Sequence, residues 1–424
     1  MKNTFGALIG MLIVILTLGA CKKNLFDQEL YNNVITQSFP IEPIDSTHNW
    51  ILSTRHSITI RVNANMENME RVMVLTANPA NDTNAQIMAE KTNPTEGTSY
   101  TLLFASPEKQ TTFYAAIKTT DNRYAIKPFT TSDNTIDFSN KIEATIAKTL
   151  DYQSFTFCFE ENYPLPGDYD FNDCVMRMSL KPGSEKNQVK LSVTLAAVGA
   201  KNPLAGAVRL TNYSYDDIER VDIEDGQAFD DGYPLTLRYI TNGATCQPGL
   251  KNEPVIRLFE DAMWSLAHND ADNIGVIERK NVNVTRDTTE NNIHTKPITK
   301  TYIITFKETA SNMLNNLLED NLDPFIITVF NGGYWETHTY QYRNAQVLYE
   351  YPDQTNLHML WALCIPSGTF RWPLEGILIG NYKNGILTGA YREYGHSFGQ
   401  WATNKNQSKD WFFYPTESEV YKTN

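Results

Sequence analysis

The residues with the most chemical promise stand at 159–173: Phe-Glu-Glu-Asn-Tyr-Pro-Leu-Pro-Gly-Asp-Tyr-Asp-Phe-Asn-Asp. Asp168, Asp170 and Asn172 occupy alternate positions, Asp173 follows, and Glu160 and Glu161 precede a Pro/Gly turn. In a tight loop, alternate oxygen-bearing side chains can converge on one point. A hard cation such as Ca²⁺ takes about six to eight oxygens at about 2.3–2.6 Å. The Asp-x-Asp-x-Asn spacing matches the first half of an EF-hand loop, but the second half fails. The sixth position is Asp173 rather than Gly, and the twelfth is Ser179 rather than Glu. An EF-hand is therefore excluded, and any site must recruit oxygens from elsewhere. The expected ligand set is Asp168, Asp170, Asn172, Asp173 and Glu160, with Ca²⁺ as the expected ion. Asp and Asn also stabilise turns by bonding their own backbone, and the sequence leaves that alternative open.

Two further constellations are weaker. Glu336-Thr337-His338 would place Glu336 and His338 on one face of a strand, as a metal half-site, an acid–base pair or, preferred here, a surface pair. Gly395-His396-Ser397-Phe398-Gly399 has the form of a nucleophile elbow, which needs an acid and then a His later in the chain. No His follows Ser397, so a hydrolase serine is not expected. No HExxH, Walker loop or dinucleotide fingerprint is present. A net charge of −13 disfavours nucleic acid and anionic lipid as partners and is compatible with divalent cations.

The elements that must position these residues begin with an address. Lys2, the uncharged run Phe5–Ala20 and Leu18-Gly19-Ala20-Cys21 read as a bacterial lipoprotein signal peptide over 1–21, with Cys21 lipidated. Lys22, Lys23 and Asn24 follow, rather than the acidic run that directs some Bacteroidetes lipoproteins to the surface. Residues 22–48, with Pro40 and Pro43, are expected to be a tether, with one short helix near Leu25–Asn33. Cys158, Cys174, Cys246 and Cys364 remain. Cys158 and Cys174 flank the acidic stretch and are the first pair to test for a disulfide, with four free thiols as the alternative.

Hydrophobic residues make up 41% of the chain and aromatics 12%, enough for a sizeable core. Short alternating runs separated by Gly, Pro, Asn and Thr predict a mainly β protein with a few short helices. A small β-sandwich domain is expected over 49–148, from strands near 57–62, 72–75, 100–104, 112–117 and 124–126. A larger β-rich domain is expected over 149–424, with Phe155–Phe159 and Cys174–Leu180 bracketing the acidic loop. Asp216–Asp231 reads as a solvated acidic stretch, and Asn312–Leu318 as the best short helix. The aromatic C-terminal part (Trp361, Phe370, Trp372, Tyr382, Trp401, Trp411, Phe412, Phe413) reads as core rather than as a sugar-stacking surface.

Phe159-Glu160-Glu161 followed by Gly167-Asp168-Tyr169-Asp170-Phe171-Asn172-Asp173 resembles the signature of the LruC-domain family. In order, Ala196–Ala200, Asn321–Ile326, Trp361–Pro366 with Phe370–Glu375, and Phe398–Trp401 with Asp410–Phe412 resemble further family blocks, so the likeness spans about 150–424. Pro164-Leu165-Pro166 fills the family's variable turn, and Thr339-Tyr340 after His338 departs from its Leu-Pro. The resemblance implies a bacterial envelope lipoprotein with a domain of unknown function, and carries no established activity. The expectation is a non-catalytic binding or adhesion protein on the outer membrane, at its periplasmic or cell-surface face. A lipid on Cys21 would hold it there, a glycan or protein would be its ligand, and a structural calcium-type site would order the loop. Two alternatives stand beside it. One is a polysaccharide-acting enzyme with paired carboxylates from Glu160, Asp168, Asp173, Glu336 or Glu375. The other is a purely structural surface component.

Overall fold

The computed structural model describes residues 44–422 apart from 64–65, 140–143, 147, 230–243, 270–272, 274–277, 288, 290, 331–332 and 351–359. The signal segment, Cys21 and the helix expected near Leu25–Asn33 lie outside the described residues. The protein is mainly β, with few and short helices.

Alternation builds the first unit. In Ser53–Asn63, Ile58, Ile60 and Val62 are buried while Arg61 and Asn63 are exposed. This strand lies between Ser99–Pro107, antiparallel, and Thr135–Ser139, parallel. Facing it is a six-stranded sheet in the order 144–145, 123–130, 112–119, 69–75, 86–92, 151–152. Ile58, Ile60, Val62 and Phe104 meet Val72, Val74, Phe113 and Phe129 between the sheets, which makes a sandwich.

A second pair of sheets follows. One runs in the order Ile218–Ile223, Ile298–Phe306, Gln188–Ala197, Cys174–Pro182, Phe155–Phe159, Ala362–Ile365. The other runs Cys246–Pro248, Pro254–Phe259, Ala205–Leu210, Leu322–Phe330, Gly333–Thr337. All their pairings are antiparallel. Phe157, Met176, Leu191, Val193, Val208, Leu258 and Ile326 fill the space between them. Every residue of Phe155–Phe159 is buried, because this strand is covered on both faces. Its second face carries the aromatic block: Trp361, Trp372, Trp401, Trp411 and Phe398 pack with Cys158, Val175 and Leu363. Among the aromatics expected as core, Phe413 is exposed and Tyr382 only half-buried against the core.

Three details differ from expectation. Residues 44–48 of the expected tether are docked: Asp45 N–H donates to the Ala402 carbonyl, and the buried His48 meets the Trp401 carbonyl at 3.0 Å. Trp50 and Leu52 belong to the C-terminal aromatic core, while Asp151–Tyr152 pairs with Gln86–Ile87 of the first unit, so the chain crosses between units on both sides of the expected boundaries. The segment Glu308–Asn316 is a 3₁₀ helix, and among the described residues the α-helices are Ala262–Ala267 and Phe398–Thr403. Both are six residues long, too short to show helical periodicity. Among the described residues no helix is long and apolar enough to cross a membrane.

Candidate metal centre

The acidic loop is pinned at both ends by the sheet. Phe159 pairs with Cys174, and Glu160 N–H donates to the Trp361 carbonyl at 2.8 Å. Between these points Tyr169 and Phe171 both adopt left-handed backbone, with φ of 60° and 54°. This region is costly for bulky side chains and persists only where the surroundings enforce it. Here both rings are buried in the aromatic core, and both amides serve one acceptor. Tyr169 N–H donates to Glu160 Oε2 at 3.2 Å and Phe171 N–H to Glu160 Oε1 at 2.7 Å. Glycine at 167 makes room for this carboxylate, since a Cβ there would fall 1.7 Å from Glu160 Oε2 and displace it.

This alternating backbone brings one oxygen from each of Glu160, Asp168 and Asp170 within 4.8 Å of one another. Oxygens on opposite sides of a Ca²⁺ ion lie about 4.6–5.2 Å apart, so one ion fits among the three. Glu160 and Asp170 are buried, and Asp168 is exposed and opens the site to solvent. Asn172 and Asp173 lie beside this triplet. Asp173 accepts from Glu161 N–H at 2.7 Å, and Asn172 Nδ2 donates to the Pro373 carbonyl at 3.2 Å. Glu161 accepts from the amides of Lys201 and Asn202 at 3.1 and 2.9 Å, which ties the loop to the next connection. Asp170 accepts from Asn172 N–H at 3.1 Å and from Gly376 N–H at 2.8 Å.

The electrostatics are one-sided. Burial, then the charge of Asp168, pushes the Glu160 carboxyl up to about 8. Burial and neighbouring carboxylates likewise hold Asp170 and Asp173 well above the usual carboxylate range. Glu375, delivered by the C-terminal block, is pushed to about 7 by burial and by Asp168, with Lys201 acting in the opposite sense. Glu160, Asp170, Asp173 and Glu375 are thus disfavoured as anions mainly by burial and by other carboxylates, a condition that a divalent cation would relieve. Sequence reasoning placed Glu375 only among carboxylates for catalysis, and Gly376 not at all. Their nearness to the loop depends on a return of the chain some 200 residues later, visible in the sequence only as the separate block Phe370–Glu375.

The other candidates resolve differently. His338 and Glu336 do share a face, but both are buried rather than on the surface. His338 Nδ1 lies 3.0 Å from Asp323, and Nε2 lies 3.2 Å from Glu336. Arg209 bonds Asp323 at 2.8 Å and Glu253 at 2.9 Å. Glu336 also accepts the amides of Val347, Leu348 and Tyr349. Burial opposes the imidazolium, yet Asp323 and then Glu336 outweigh it and raise His338 to about 9. Ser397 is a helix cap, its Oγ accepting Gln400 N–H at 3.2 Å at the start of Phe398–Thr403. Cys158 and Cys174 do not form a disulfide; both are free, as are Cys246 and Cys364. Since Phe159 is the residue opposite Cys174, Cys158 points to the other face of the sheet. Cys174 accordingly packs between the sheets and Cys158 in the aromatic core.

The chain belongs to the family described as a domain of unknown function, DUF4842, whose model matches residues 186–412, more than half of the chain. The match begins after the acidic loop and takes in the blocks at 321–326, 361–366 and 398–401. A crystal structure from Bacteroides ovatus, named "putative lipoprotein", is similar in fold, with a TM-score of 0.53 and 16% identity. The likeness covers 84% of this chain and 100% of that one. No curated protein matches the chain.

Proposed function

We propose that the chain is a lipid-anchored envelope protein, held through Cys21 to the bacterial outer membrane, in which the loop at 160–173 is a structural Ca²⁺ site. In this reading the LruC-like region is a non-catalytic binding or adhesion unit for a glycan or protein, and the ion orders its central loop. The observation that carries the metal site is the convergence of Glu160, Asp168 and Asp170 within 4.8 Å, two of them buried. Lipid anchoring is supported by the Leu-Gly-Ala-Cys segment at 18–21 and by the name of the Bacteroides structure. A non-catalytic role is supported by the environment of the carboxylates. Glu160, Asp173 and Glu336 are buried and accept backbone amides, whereas a glycosidase pair faces its substrate across a cleft.

Thermal unfolding of the soluble mature protein, stripped of metal and then given CaCl₂, tests the site. Saturable stabilisation that is lost in Asp170→Asn is expected; no shift at millimolar Ca²⁺ removes the metal from the reading. A glycan array and a pull-down with the same protein test the binding role, and hydrolysis of an arrayed polysaccharide would replace it with the enzyme alternative.

A further inference from the structure

We propose that Asn172 and Glu375 complete the coordination of the ion held by Glu160, Asp168 and Asp170, so that the cation clamps the acidic loop onto the C-terminal segment at 373–376. This rests on the Ca²⁺ reading above. The observation behind it is a conflict between two acceptors. Asn172 is fully buried, and its Oδ1 has no hydrogen-bond partner. Glu375 Oε2 is also buried and without a partner. A Cβ built on Gly199 would lie 2.2 Å from the first oxygen and 2.8 Å from the second, which bounds their separation at 5.0 Å.

Turning the amide over does not remove the conflict. Asn172 Nδ2 now donates to the Pro373 carbonyl, which can only accept, so a flipped Oδ1 would face that carbonyl instead. Two buried acceptors at this range call for a positive charge or a proton between them. The backbone already brings Glu375 to the loop. Its neighbour Gly376 donates to Asp170 at 2.8 Å, and Glu375 N–H donates to the Val284 carbonyl at 2.9 Å. The Glu375 side chain is only partly buried, and no hydrogen bond holds Oε2, so it is free to close on an ion. Five side chains then supply oxygens from two chain segments, and the exposed Asp168 leaves room for water to fill the rest.

The test is calorimetric titration of the metal-free mature protein with CaCl₂, together with hydrogen exchange at 374–379. Wild type is expected to bind and to gain protection over 374–379. Glu375→Gln, which keeps the shape, is expected to bind at least about tenfold more weakly and to lose that gain, the scale seen when a group supporting a metal site is removed. Asp170→Asn is expected to abolish binding. Wild-type affinity and protection in Glu375→Gln, with binding lost in Asp170→Asn, overturns the clamp and leaves the loop site standing. No binding by wild type overturns both.

Discussion

Two buried charge clusters, one around His338 and one around Glu160, are closed in different ways. Around His338 the anions Asp323, Glu336 and Glu253 are met by Arg209 and by the imidazolium itself, with three backbone amides completing Glu336. Phe325 stacks on the ring at 4.6 Å and seals the cluster. Around Glu160 the anions meet amides and one another, and their acidities are displaced upward by burial and mutual repulsion. Both clusters are rich in carboxylates. The first is balanced by protein cations and reads as architecture. Among the described residues no Lys or Arg side chain bonds the carboxylates of the second, Lys201 acting only on Glu375 through its charge, and this difference supports the proposed cation site.

The largest effect is expected where the closed cluster is broken. His338→Gln leaves two buried carboxylates without their shared cation and should cost about 3–5 kcal/mol in urea unfolding. The cost should be the same with and without Ca²⁺; dependence on the ion would blur the distinction between the clusters. Next comes the open cluster. Ca²⁺ at a hundred times its dissociation constant should stabilise wild type by about 2.7 kcal/mol, and Asp170→Asn should lose that gain.

Acidity separates the clusters further. Glu160 stands at about 8 in the metal-free fold against an ordinary 4.5, so its contribution is full below pH 4.5 and is lost as pH rises through 8. His338 stands at about 9 against 6.5, so its contribution is full below pH 6.5 and is lost as pH rises through 9. Stability measured in chelator should therefore fall from pH 5 to 8, and Glu160→Gln should flatten that part of the curve. Ca²⁺ should flatten it too, while leaving the loss near pH 9 in place. The smallest effect belongs to a site outside both clusters: Ser397→Ala removes a helix cap and should cost about 1 kcal/mol, indifferent to Ca²⁺.

The readable part of this fold was local. Strand runs such as Ser57–Val62 and Phe155–Phe159 carry their pattern in adjacent residues, and the alternation of Asp168, Asp170 and Asn172 lies within one turn of chain. What was not readable depends on distant partners. The burial of His338 requires Arg209 and Asp323 from neighbouring strands of the same sheet. The approach of Glu375 requires the aromatic block to fold over the second face of the first sheet. Residues 44–48 look polar and linker-like, yet they dock because Trp50 and Trp401 stack edge to face at 5.3 Å. Asp216–Asp231 reads as a solvated acidic stretch, and the strand Ile218–Ile223 within it is an edge strand that exposes Glu219, Arg220 and Asp222.

The central claim is that a divalent cation occupies the space among Glu160, Asp168 and Asp170. The most direct test is a crystal structure of the mature protein grown in CaCl₂, with anomalous scattering measured at a long wavelength. The account predicts an anomalous peak with oxygens of all three residues at about 2.3–2.6 Å. A water or a bare hydrogen-bonded carboxyl cluster at that position, with no anomalous signal, would contradict it.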